Sequence, residues 1–199
     1  MASIMLPTDP GPNGMELNYV EFGGVLTPAL GGAAQRINRP GDRHAVVFSM
    51  PPLVLEPHGR IWINRLRLGV QLGAVAEFLQ PDFHIGSPGA PVIDGDGQAG
   101  KVLSLRGFTP YYQAREGQAF SIIIGGRRYL HFSDETKRAG PDGKITVSVS
   151  PMLRASPANG DVCEFGSPKI EGILSDDAKR WTTNINRHVG ISFTVTEAR

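Results

Sequence analysis

Three arginines, Arg36, Arg39 and Arg43, stand in a short stretch rich in glycine and proline, "LTPALGGAAQRINRPGDR" (residues 26–43). Guanidinium groups beside paired glycines are the ingredients of an anion site, in which backbone amides form a nest at a helix N-terminus. Gly31 and Gly32 supply the glycines, but the G-x-x-x-x-G-K-[ST] spacing of a phosphate loop is missing. At i, i+3 and i+7 the arginines would share one helical face, yet Pro40 and Gly41 cut such a helix short. What remains is the rigid fork of donors that each arginine presents, suited to tying carbonyls or a carboxylate of a neighbouring loop or chain. Arg36, Arg39, Asp42 and Arg43 are therefore expected at an oligomer interface, with no cofactor.

Elsewhere the reactive residue types are not arranged for catalysis. Ser87 lies among glycines in "GSPGAP", but Pro88 follows it and removes the backbone N–H that an oxyanion hole would use. "DGDG" (94–97) opens like a calcium loop, yet the twelfth position counted from Asp94 is Leu105, where a bidentate Glu is required. His44, His58, His84, His131 and His188 show no close metal-ligand spacing; His131 near Asp134 and Glu135 reads as a strand running into a polar turn. The lone Cys163 has no C-x-x-C partner and reads as a buried apolar group. No metal and no enzymatic activity are expected.

The elements that must position these residues are mostly strands. A chain of 199 residues with 25 Gly and 16 Pro among many Val, Ile, Phe and Thr suits short strands joined by tight turns. Its net charge of +1 provides no broad field to attract nucleic acid or an acidic membrane surface. No run of apolar residues is long enough for a membrane span, and the opening residues lack the form of a signal peptide, so a soluble, cytoplasmic protein is expected.

Residues 1–16 read as an extended arm, 17–25 as a strand bent at Gly23 and Gly24, and 44–50 as a strand stopped by Pro51 and Pro52. The spacing predicts a helix over 56–68, with Pro57 in its first turn, Gly69 as its stop, and Trp62 and Leu66 on its dry face. A further strand is expected at 73–79. From residue 86 the texture changes to Gly, Pro and Asp, and short strands follow at 101–108, 118–132, 143–153 and 160–168, with a hairpin turn at Gly125-Gly126. Two more strands are predicted at 178–186 and 189–197. The expected organisation is a β module of 1–85 and 170–199, interrupted by an inserted small β-barrel of 86–169.

The runs "FGGVLTPALGGAAQRINRPGDRHAVVFSMPP", "GRIWINRL", "GSPGAPVIDGDGQAGKVLSLRGFTP", "GQAFSIIIGGRRYLH" and "PMLRASPANGD" resemble distal tail proteins and related tail-tip ring proteins of long-tailed, siphovirus-type bacteriophages and prophages. The resemblance implies a mainly β fold: a tail-tube-like β-sandwich or split barrel with one helix, carrying an inserted small β-barrel. It further implies a homo-oligomer, usually a sixfold ring, that joins the tail tube protein to the tail hub and receptor-binding apparatus. The ring leaves a channel for the tape-measure protein and for DNA, which passes without specific binding. The expected location is the tail tip of the virion, and the host cytoplasm before assembly. A different class of function, a carbohydrate-binding or glycan-cleaving β protein, would draw on Tyr111, Tyr112, Glu116 and Trp181.

Overall fold

A computed structural model describes residues 3–37, 39–175, 178, 182–183 (backbone only) and 188–198. Before residue 86 it holds β1 (Ile4–Met5), β2 (Gly14–Val20), β3 (Gly24–Leu26), β4 (Gln35–Ile37), β5 (Arg43–Ser49), β6 (Leu53–Val54), helix α1 (Arg60–Leu72) and β7 (Ala74–Glu77). Next come β8 (Gly89–Ile93), β9 (Gly100–Phe108), β10 (Gln113–Ala114), β11 (Ala119–Ile124), β12 (Arg127–Ser133), β13 (Lys137–Arg138), β14 (Ile145–Leu153) and β15 (Cys163–Glu164). β16 (Lys169–Leu174), β17 (Thr182–Thr183), β18 (His188–Gly190) and β19 (Ser192–Glu197) complete the series. The protein is thus mainly β, with one long helix among the described residues.

Two six-stranded sheets dominate. The first runs β1-β7-β16-β19-β5-β2, so both ends of the chain contribute to it. The second runs β15-β11-β12-β14-β9-β8 and nearly closes on itself. Its end strands approach through a bridge between Val92 and Val162, and Ile93 N–H donates to Asp161 O at 3.0 Å. Inside this barrel-like sheet Phe120 stacks on Phe165 at 4.4 Å, among Ile93, Leu103, Leu105 and Val147. The alternation of Ile145, Val147 and Val149 with polar residues puts three buried side chains on one face of β14, the expected behaviour of a strand with one wet face.

The first sheet is covered by α1, whose Trp62 meets Phe193 at 5.8 Å while Phe193 stacks on Phe48 at 5.1 Å. Arg60, Asn64 and Arg67 stay on the wet side. The regular α-helix begins four residues later than its apolar spacing predicts, after a wider helical turn over Leu55–Gly59 in which Glu56 is extended (φ −115°, ψ 129°) ahead of Pro57. It also passes through Gly69, which is no stop: a Cβ there would lie 2.8 Å from Leu174 Cδ1, so the glycine allows the helix to approach β16. Gly73, at φ 87°, ends it instead.

Three further expectations are corrected. The N-terminal stretch is not simply an arm: β1 pairs in parallel with β7, and Leu6 is buried in the core. The predicted 17–25 strand is two strands, β2 and β3, because the chain leaves the sheet after Val20. β16, central in the first sheet, has no counterpart among the predicted strands. The expected strand at 178–186 falls largely outside the described residues, as does Trp181.

Candidate assembly surface

Between β2 and β5 the chain leaves the first sheet and folds into a hairpin, β3 against β4, with Val25 opposite Arg36 and Leu26 opposite Gln35. This pair forms a two-stranded sheet of its own and joins neither large sheet. Isolated two-stranded hairpins are at best marginally stable in water. Here the side chains that would stabilise one are turned to solvent: Val25 and Leu26 are more than half exposed, and Leu30 at the tip is fully exposed. Leu17, Tyr19 and Phe22 continue the apolar surface down to the root. Beneath them β2 is an outer strand of the first sheet, paired along one side with β5 from Gly14 to Val20.

The root of the arm is fixed by Asp42. Its carboxylate accepts hydrogen bonds from the Tyr19 hydroxyl at 2.7 Å and from Phe22 N–H at 2.6 Å. Burial by itself would raise this carboxyl's pKa, but the donors Phe22, Tyr19 and Gly23 hold it below the usual carboxylate value. The same environment raises the Tyr19 phenol, through burial first and the Asp42 charge after it. Gly41 lets the Phe22 ring lie directly on the backbone, since a Cβ there would sit 2.6 Å from a ring carbon. Arg36 donates to Glu21 Oε1 at 2.6 Å and thereby ties β4 to the segment after β2; both side chains are exposed, so the pair adds little stability.

The four residues expected at an interface therefore divide. Arg36 and Arg39 are exposed on the arm. Asp42 is an internal staple of its root, and Arg43, at the start of β5, is half-buried with Thr196 and Glu197 beside it. The apolar residues Leu17, Tyr19, Val25, Leu26 and Leu30 were not singled out by sequence reasoning. Their signal was available in the unusual run of large apolar residues on both sides of a Gly/Pro loop.

A second polar centre joins the two sheets. The outer edge of β12, where β14 pairs only with Phe132 and Ser133, is capped by carboxylates. Glu171 of β16 accepts from Arg128 N–H at 2.9 Å, and Glu197 of β19 accepts from Leu130 N–H at 2.8 Å. Glu197 also accepts from His44 N–H at 2.8 Å and faces Arg154 Nη2 at 2.9 Å, with both side chains buried. Burial raises the Glu197 carboxyl above its ordinary value, against the opposing pull of Arg154. Apolar contact reinforces the junction: Ala119 and Leu130 of the second sheet lie in the core of the first. The arm thus projects from a body whose halves are tied together.

The other reactive types occupy structural places. Asp94 is paired with Lys144 at 2.8 Å and Arg106 at 3.4 Å. His131 is buried with Nδ1 2.9 Å from Pro151 O, and Asp134 receives the Ser148 hydroxyl. Cys163 is buried and unbridged, and burial raises its thiol pKa, which disfavours the thiolate. Among the described residues no group of three or more His, Cys, Asp or Glu is placed to hold a metal ion. No helix there is long and apolar enough to cross a membrane. No protein-family model and no curated protein matches this chain.

Proposed function

We propose that this chain is a structural ring protein of the tail tip of a long-tailed bacteriophage, joining the tail tube to the hub and receptor-binding apparatus. The observation that carries the reading is the arm: a hairpin of exposed apolar residues, clamped at its root by Asp42, that pairs with neither large sheet among the described residues. Such a segment gains its stability when a second copy covers it, and β2 beside it offers a strand edge. A closed ring of identical subunits satisfies every arm and every edge at once, which an open head-to-tail chain of subunits does not. In this reading residues 1–85 and 170–199 form the tail-tube-like module, a β-sandwich or split barrel, and 86–169 is a small β-barrel inserted into it. The carboxylates Glu171 and Glu197 then hold the insertion in a fixed attitude toward the ring. A near-neutral charge suits a channel through which DNA travels without being held.

Native mass spectrometry of the full chain over a concentration series tests this reading. A discrete oligomer, six subunits being expected from the resemblance to tail-tip proteins, supports it. Leu26→Glu with Leu30→Glu should shift the population to monomer, because both side chains are exposed in the single chain and their replacement leaves its core intact. A wild-type protein that stays monomeric and never enters a tail particle would refute the proposal.

A further inference from the structure

Outside the arm, Ile173 is the most exposed large apolar side chain among the described residues, at 63%. It stands on β16, a strand paired on both sides, by β7 and by β19. A cavity of about 520 Å³ opens beside it, and Val70 and Leu72 of the last helical turn and Ala198 complete its apolar wall. Ser3 and Gly73 bound the cavity toward the β1 edge of the first sheet, and the start of β12 bounds it toward the second sheet. Its volume is on the scale of a binding pocket, and it lies where such pockets tend to form, between two packed units.

The charge of the cavity suits a cation. It contains the C-terminal end of α1, the negative end of the helix dipole, where only Gly69 O has regained a donor, from Gly73 N–H at 2.8 Å. Glu171 adds a carboxylate whose side chain is 10% exposed. Arg128 on the far wall is tied to Glu164 at 3.0 Å, and Arg127 stands exposed at the rim.

The arm is a matching object. It exposes Val25, Leu26 and Leu30, and from Glu21 to Arg39 it carries two arginines against one carboxylate. Glu21 is taken by Arg36, and Arg39 is exposed with no carboxylate at ion-pair distance among the described residues. The two surfaces also lie at opposite ends of the first sheet: the arm leaves from β2, while the cavity spans β1, β7 and β16. Unlike surfaces at opposite edges make a head-to-tail contact, the kind from which rings close. Where β2 of one copy lies beside β1 of the next, β7 and β16 begin about 5–10 Å beyond that edge. The chain from Val20 to Leu30 can span at most about 35 Å, so the tip reaches them.

We propose that this cavity is the socket for the arm of the next subunit: Leu26 and Leu30 cover Ile173, Val70 and Leu72, and Arg39 lies at the end of α1 beside Glu171. The inference rests on the ring reading above and names the surface that the ring would use.

Chains carrying Leu30→Cys co-expressed with chains carrying Ile173→Cys, then treated with a short bis-maleimide, test it. The native Cys163 is buried, and each variant treated alone is the control. The mixture should give a covalent dimer at least about tenfold above either control. Ile173→Glu should raise the concentration at which the wild-type oligomer half-assembles at least about tenfold, with an unchanged circular dichroism spectrum. Val102→Glu, at an equally exposed valine of the second sheet, should leave that concentration where it is. An oligomer that forms without the cross-link, or that tolerates Ile173→Glu, overturns the socket and leaves the ring reading standing. A wild-type chain that stays monomeric overturns both.

Discussion

His44 offers a sharp test of how the interior is built, because it is buried and its ring nitrogens have no hydrogen-bond partner among the described residues. Its ring lies edge-on to Tyr19 at 5.6 Å and Phe132 at 5.1 Å. Burial lowers its pKa from the ordinary 6.5 to about 4, and the nearby Arg154 charge adds to the effect. Above pH 6.5 the ring is neutral in both folded and unfolded chains, so stability is at its full value. As pH falls from 6.5 toward 4 the unfolded chain takes up a proton that the folded chain refuses, and stability is lost at ~1.36 kcal/mol per pH unit. At pH 5 the loss from His44 is about 2 kcal/mol. His131, lowered to about 3 by burial, loses stability over the same range and in the same direction. Glu197, whose raised pKa acts with opposite sign, is the same in wild type and in the His44 variant compared with it.

His44→Phe keeps the ring contacts, forfeits no hydrogen bond, and removes one of the two proton linkages. Urea unfolding followed by tryptophan fluorescence at pH 7 and pH 5 measures the outcome. The variant should match or exceed wild type at pH 7 and gain about 2 kcal/mol relative to it at pH 5. Parallel pH dependences for the two proteins would refute the assignment of His44 as a neutral, buried ring.

Other expectations concern the junction, the sheet and the arm root. Glu197→Leu leaves Arg154 buried without its carboxylate and uncaps the amides of His44 and Leu130, so unfolding measurements should show a loss of about 3–5 kcal/mol. Gly172→Ala puts a Cβ 1.9 Å from Thr196 O, separating β16 from β19; a loss of about 3 kcal/mol, or failure to fold, should be seen by circular dichroism. Asp42→Ala removes the acceptor for Tyr19 and Phe22, costing about 1–3 kcal/mol and exposing 20–42 to limited proteolysis well before the rest of the chain is cut.

Legibility in the sequence followed the range of the forces involved. Strand β14 and the β11–β12 hairpin were readable because alternation and the Gly125-Gly126 turn are local signals. β16 was not, because Gly172 breaks the apolar alternation of Ile170 and Leu174, and the reason for that glycine is Thr196, 24 residues downstream. Gly69 read as a helix stop for the same reason: its role is set by Leu174, which is remote in sequence. At the candidate assembly surface the arginine loop was visible, and the division of labour within it was not. Asp42 is an intrachain acceptor because Tyr19 and Phe22 return to it, a geometry that spacing alone does not encode.

In the proposed role this chain forms a ring at the tip of a phage tail. Electron microscopy of purified tail particles, with the chain marked by a gold-labelled antibody, tests it most directly. Label confined to the distal end of the tail, around a ring with rotational symmetry, is the expected result. Label on the capsid or along the tube, or particles that lack the chain altogether, would contradict it.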